Sequence, residues 1–119
     1  MQPKKLDIQS IWDMVDSITK IQGFTIGMDE SDYLENELVQ SAVERKLEIL
    51  GEAARRVSHD FQIRHPEIDW RNTIGLRNII AHRYDQIEQE RVWNILKTVL
   101  PDLKDRLLPL LPPIVTDIE

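Results

Sequence analysis

A chain of 119 residues has the size of one domain and is too short for two independent cores. Its 41% hydrophobic and 30% charged residues suit a soluble helical protein, and the absence of cysteine excludes disulfides, thiol nucleophiles and cysteine-based zinc sites. A net charge of −6 with a pI near 5.1 excludes coating of nucleic acid through bulk charge, so any contact with RNA or DNA has to be local.

The opening MQPKKLDIQS lacks the apolar centre of a signal peptide, and no apolar run approaches the roughly 20 residues that span a bilayer. A cytoplasmic location is expected. The first helix is predicted from about Leu6 to Gln22, with Ile8, Ile11, Trp12, Val15, Ile18 and Ile21 as its apolar stripe and Gly23 at its end. The polar TIGMDESDYLEN that follows is a connection, with room for a helical turn capped by Asp29 or Ser31.

A second long helix is predicted over about Glu37 to Ser58, its buried face drawn from Leu38, Ala42, Leu47, Ile49, Leu50, Ala53, Ala54 and Val57. Gly51 inside it costs up to about 1 kcal/mol of helix stability, which calls for a reason, and close approach of another backbone is the natural one. IRHPEIDW then breaks the pattern, and Asp69 is placed to cap a third helix carrying GLRNIIAHRYDQIE. The final helix runs from near Glu88 through Val92, Trp93, Leu96, Val99, Leu100 and Leu103 to about Leu107, kinked or restarted at Pro101. LLPLLPPIV is too proline-rich for helix and reads as an extended tail or as cover for a partner surface.

The chemistry concentrates between Arg77 and Asp85. On an ideal helix at about 100° per residue, with Arg77 at zero, Tyr84 falls near −20°, Asp85 near 80°, Asn78 near 100° and His82 near 140°. Leu76, Ile79 and Ile80 take the opposite side and face the core. Arginine can hold two phosphate oxygens, and histidine moves protons near neutral pH, so the pair suits phosphate chemistry. The plainer account is a solvated helix face, with Asp85 and Glu88 as a capping pair for the next helix. His59 and His65 lack the carboxylate-rich spacing of a metal site. Trp12, Trp70 and Trp93 lie within or beside apolar patterns and read as core.

Arg77-x-x-x-x-His82-x-Tyr84 resembles the signature of HepT-like ribonuclease toxins of the HEPN superfamily. AVERKLEILGEAARRV, HPEIDWRNTIGLRNIIAHRYD and ERVWNILKTVLPDL are similar to that family's successive blocks, leaving out only about the last ten residues. Two positions depart from its pattern: Glu88 stands where Asp is frequent, and acidic Asp85 follows Tyr84.

The resemblance implies an all-α, up-and-down bundle of four to five helices, dimeric, over residues 1–119 with a proline-rich tail from about 108. It implies a metal-independent endoribonuclease, the toxin of a type II-like toxin–antitoxin pair. Arg77 would hold the phosphate and His82 would transfer protons, with attack by the RNA's 2′-hydroxyl and a cyclic phosphate product. Asn78 is a supporting residue that orients His82, or else a plain exposed polar side chain. Tyr84 would be the site at which an MntA-type nucleotidyltransferase antitoxin adds AMP, or else a ring packed at a helix end. RNA is the implied substrate, with no cofactor, no metal, no DNA and no membrane. The alternative is a non-catalytic helical subunit that binds and serves the nucleotidyltransferase.

Overall fold

The computed structural model describes residues 5–81 and 88–113, and among these every regular element is helical. In chain order they are α1 (Lys5–Phe24), α2 (Glu30–Leu34), α3 (Glu37–Arg56), α4 (His59–Arg64), α5 (Trp70–Ala81), α6 (Gln89–Asn94), a π turn (Ile95–Val99), α7 (Leu100–Leu107) and a 3₁₀ turn (Leu108–Leu110). Four long helices result, because α6, the π turn and α7 run on as one rod. The two short ones, α2 and α4, fill the connections on either side of α3.

Side-chain caps set most of these boundaries. Asp29 forms a reciprocal capping box with Asp32, Asn36 accepts from the Val39 N–H, and Ser58 accepts from the Phe61 N–H. Asp69 accepts from the Asn72 N–H at 3.2 Å, as its position in the sequence predicts. Glu88 occupies the cap position of α6 without a side-chain cap bond. It therefore precedes the helix rather than completing a capping pair three residues inside it, while Asp85 lies outside the described residues.

The long helix α3 is the centre of the bundle, with α1 against one side and α5 against the other. Its Val43, Leu47, Leu50, Ala53 and Ala54 are buried, a spacing that turns one continuous face inward. α1 meets that face with Ile11, Met14, Ile18 and Ile21, all buried. The two helices are antiparallel: Asp7, at the start of α1, accepts hydrogen bonds from the Ser58 N–H at 2.8 Å and the Ser58 hydroxyl at 2.7 Å, just beyond α3. A carboxylate this buried is tolerable because both oxygens are hydrogen-bonded.

Several sequence expectations need correction. Trp12 is 52% exposed and Leu38 82% exposed, so neither belongs to the core, and Val99 is 44% exposed. Each sits at an edge of its helix's apolar arc, where packing geometry rather than periodicity decides. Trp70 and Trp93 are buried as expected. Residues 59–64 form a short helix, α4, which takes in Ile63 and Arg64 from the stretch expected to break the pattern, and Leu108–Leu110 close into a 3₁₀ turn instead of running extended.

The helical backbone continues without a gap through Pro101. The proline has no N–H to give to the Lys97 carbonyl, and the chain accommodates this one turn earlier by widening: the Leu100 N–H reaches back to the Ile95 carbonyl, closing a π turn. Val92, Trp93, Ile95 and Leu96 before the proline and Leu100, Leu103 and Leu107 around and after it all remain buried.

Candidate active site

Gly51 decides how Arg77 is presented. A methyl group there would stand 3.2 Å from the Arg77 Cβ, 3.2 Å from the Arg77 backbone nitrogen and 3.2 Å from the Ile74 carbonyl oxygen. The glycine thus lets the backbones of α3 and α5 close together at the residue that bears the guanidinium. Leu76, one residue earlier, is buried and anchors α5 in the core.

The next residue of α3 takes hold of the side chain. Arg77 Nη1 lies 2.8 Å from Glu52 Oε2, and the other oxygen, Glu52 Oε1, accepts from Arg55 Nη2 at 3.1 Å. The hydrogen bond from Arg55, with the positive charges of Arg55, Arg77 and Arg56 adding to it, holds the Glu52 carboxyl below its ordinary range. Glu52 therefore stays ionised at any pH near neutral. Exposed pairs of this kind add little to stability, so its effect is chiefly to fix one edge of the guanidinium.

Arg77 and Glu52 form one wall of an open depression of about 350 Å³ between α3 and α5, whose remaining lining is Arg45, Glu48, Ile49 and Arg56. Arg45, Glu48, Ile49, Glu52 and Arg56 recur on α3 at intervals of three, one, three and four residues, which is one stripe of a helix. Ile49, assigned to the buried face from its spacing, is only partly buried and forms part of this surface.

Of the residues singled out in the sequence, Arg77 is at this depression and half-buried, and Asn78 is exposed on the same helix. His82, Tyr84 and Asp85 lie outside the described residues. Among the described residues, no group of three His, Asp or Glu side chains is placed to hold a metal ion. His65 is engaged otherwise, with Nδ1 3.1 Å from Glu67 Oε2 and its ring 4.5 Å from that of Phe61.

The chain is fixed again where it enters α6. The Tyr33 hydroxyl donates to Gln89 Oε1 at 2.8 Å, and Gln89 Nε2 donates to Glu44 Oε2 at 2.6 Å. Burial, with the Glu44 carboxylate adding to it, pushes the Tyr33 phenol well above its ordinary value, so it remains a donor. Neither this network nor Glu52 is visible in sequence alone. The regular recurrence of Arg45, Glu48, Glu52 and Arg56 was the one available signal for the α3 surface.

The described residues form a helical bundle that presents a carboxylate-held arginine at an open depression lined by both arginine and glutamate. Residues 14–109 match the family model described as ribonuclease HepT-like. The chain is 35% identical over 101 residues to a protein of Methanocaldococcus jannaschii provisionally named an RNase, covering 84% of this chain and 93% of the relative. It is 35% identical over 94 residues to a protein of Thermococcus cleftensis provisionally named ribonuclease HepT, covering 79% and 86%. A second M. jannaschii protein provisionally named an RNase is 32% identical over 119 residues, covering 98% and 93%. No solved structure gives a significant match. The chain belongs to the HepT-like ribonuclease family.

Proposed function

We propose that residues 1–119 act as one unit, a metal-independent endoribonuclease in which Arg77 and His82 form the catalytic pair. The observation that carries this reading is the presentation of Arg77 beside an open depression by Gly51 and Glu52, five residues before His82, in a chain of a ribonuclease family.

In the proposed reaction the ribose 2′-oxygen attacks the adjacent phosphorus while a base removes the 2′ proton, and the P–O5′ bond breaks as an acid protonates the leaving 5′-oxygen. The products are a 2′,3′-cyclic phosphate and a 5′-hydroxyl. Each proton transfer by a positioned group contributes about 10²- to 10⁴-fold, and Arg77 stabilises the charge that builds on the phosphorane oxygens. Asn78, one turn before His82, serves to orient the imidazole.

One motif supplies one histidine, so a homodimer with two motifs in a common cleft accounts for both the base and the acid. In support of this, a groove beside α5 is lined by Leu76, Ile79, Ile95, Val99 and Leu103 together with polar and charged side chains that include Asn72, Arg91, Asp102 and Arg106, and Val99 is 44% exposed there, a mixed surface suited to a second copy. As the toxin of a toxin–antitoxin pair, the enzyme would be silenced when a nucleotidyltransferase antitoxin adds AMP to Tyr84, two residues after His82. The proposed setting is the cytoplasm, where RNA and antitoxin would meet it.

The test is cleavage of a single-stranded RNA by purified wild-type protein and by His82→Ala, in excess EDTA. Wild-type activity with cyclic phosphate ends, and loss of at least about 10²-fold in the variant at unchanged melting temperature, is the expected result. Equal rates for the two proteins, or a strict need for magnesium, would overturn the proposal.

A further inference from the structure

The depression beside Arg77 contains two more guanidiniums that the proposed chemistry leaves unused. Arg45 and Arg56 sit at opposite ends of the α3 stripe, about 16 Å apart along the helix axis, with Glu52 and the Arg77 contact between them. We infer that this stripe is the seat of the RNA backbone on either side of the cleaved bond, with Arg45 and Arg56 each holding a phosphate that flanks the one at Arg77. The inference rests on the ribonuclease reading above and deepens it.

Charge is the first argument. Three arginines against two glutamates leave the lining net positive by one, on a chain whose total is −6. An acidic protein repels RNA over most of its surface, so a local cationic strip is what selects where a strand can lie.

The second argument is how the arginines are held. Arg45 Nη1 lies 3.7 Å from Glu48 Oε1, and Arg56 Nη2 lies 3.4 Å from Asp13 Oδ2. Both distances are long for charge-assisted bonds, and both arginine side chains are more than half exposed. A phosphate oxygen would form a shorter bond than either carboxylate makes. Arg77, at 2.8 Å from Glu52, is the one gripped tightly. The contrast separates a fixed arginine at the reacting phosphate from two adjustable ones at its neighbours.

Shape is the third. A single free phosphate needs one compact nest of donors, whereas these are strung along a helix face with Ile49 among them. Spaced cations with the single apolar side chain of Ile49 between them, flanked by Glu48 and Glu52, suit a strand that offers a charged backbone and the flat face of a base better than they suit one compact anion.

The experiment uses the full-length protein and a short RNA whose 2′-hydroxyls are methylated, which binds but cannot be cut. Affinity is measured against salt for wild type, Arg45→Ala, Arg56→Ala and Lys20→Ala, the last removing a charge from outside the depression. Arg45→Ala and Arg56→Ala should each weaken binding about three- to tenfold and lower the slope of log K against log salt by about 0.7, while Lys20→Ala changes neither. With cleavable RNA, KM should rise more than kcat falls. Wild-type slope and KM in both arginine variants would overturn the subsite. So would a loss of binding accompanied by a change in oligomeric mass, which would make the stripe a protein interface instead. If wild type binds the methylated RNA through Arg45 and Arg56 yet cuts no RNA, the ribonuclease proposal falls and the binding strip stands.

Discussion

Glu52 grips Arg77 across the α3–α5 contact at 2.8 Å while its second oxygen is occupied by Arg55 at 3.1 Å. The carboxylate is thereby tied to its own helix before it reaches for the next. An arginine has five N–H donors in a rigid fork, and fixing one of them directs the others. Glu52→Gln should therefore lower kcat for RNA about tenfold, leave KM unchanged or reduced because a negative charge near the phosphate is gone, and leave melting almost unmoved. Steady-state kinetics beside thermal melts checks this, and a full kcat in the folded variant would show that Arg77 is positioned without Glu52.

Gly51→Ala sets two effects against each other. Alanine gains about 1 kcal/mol of helix propensity, but the new methyl meets two backbone atoms and a Cβ at 3.2 Å, and such overpacking costs about 1–3 kcal/mol. We expect a net loss of about 1 kcal/mol and a disproportionate fall in activity, because the helix displaced is the one that carries Arg77. Gly23→Ala on α1, where an added methyl meets nothing within 4 Å, should stabilise by a few tenths to about 1 kcal/mol with activity intact. Urea denaturation and cleavage rates on both variants give the comparison.

The buried Tyr33 hydroxyl predicts an alkaline limit. Its phenol is raised above the ordinary 10.0 on folding, so the folded state holds the proton more tightly than the unfolded one. The stabilisation is complete below pH 10 and is lost progressively as pH rises above it. Tyr33→Phe should cost about 1 kcal/mol at neutral pH, by leaving Gln89 Oε1 without its donor, and should flatten the decline in melting temperature between pH 9 and 11. A variant curve parallel to wild type in that range would contradict the assignment.

Val99 stands 44% exposed in the groove beside α5. If that groove seats a second copy, Val99→Glu replaces one of its exposed apolar side chains with a charge that the contact would bury and should shift light-scattering mass from twice the chain toward the monomer, with activity falling in step. A variant that keeps the wild-type mass would move the proposed interface elsewhere.

For Tyr84 the prediction is chemical. Incubation with the cognate nucleotidyltransferase, ATP and magnesium should place AMP on Tyr84 and abolish cleavage, because a bulky phosphodiester would compete with RNA for Arg77. Peptide mapping by mass spectrometry reads the site directly. AMP found only on other residues, or equal inhibition of Tyr84→Phe, would remove Tyr84 from the mechanism.

What the sequence made legible were features with a local cause. Gly51 announced a close helix contact because a glycine inside a helix needs a reason, and Asp69 announced a helix start because its side chain caps its own chain three residues on. The inward turn of Leu76 followed from periodicity alone. Features that depend on the register between helices stayed hidden. Nothing in the order of residues aligns Glu52 with Arg77, or Tyr33 with Gln89 fifty-six positions later. Trp12 misled for a related reason: it lies at the margin of an apolar stripe, and only the placement of α3 and α7 determines which margin is covered.

The two anchors on α3 tie the site to that helix's length. Glu44 fixes Gln89 and Glu52 fixes Arg77, so both ends of the stretch bearing His82 and Tyr84 are referred to points eight residues apart on one helix. A residue added to α3 between Glu44 and Glu52 would not stay a local change. It turns one carboxylate about 100° around the helix axis relative to the other, and no adjustment of side chains restores both anchors together. A change of length is therefore barred from α3 between Glu44 and Glu52, which makes that helix the gauge against which both anchors are set.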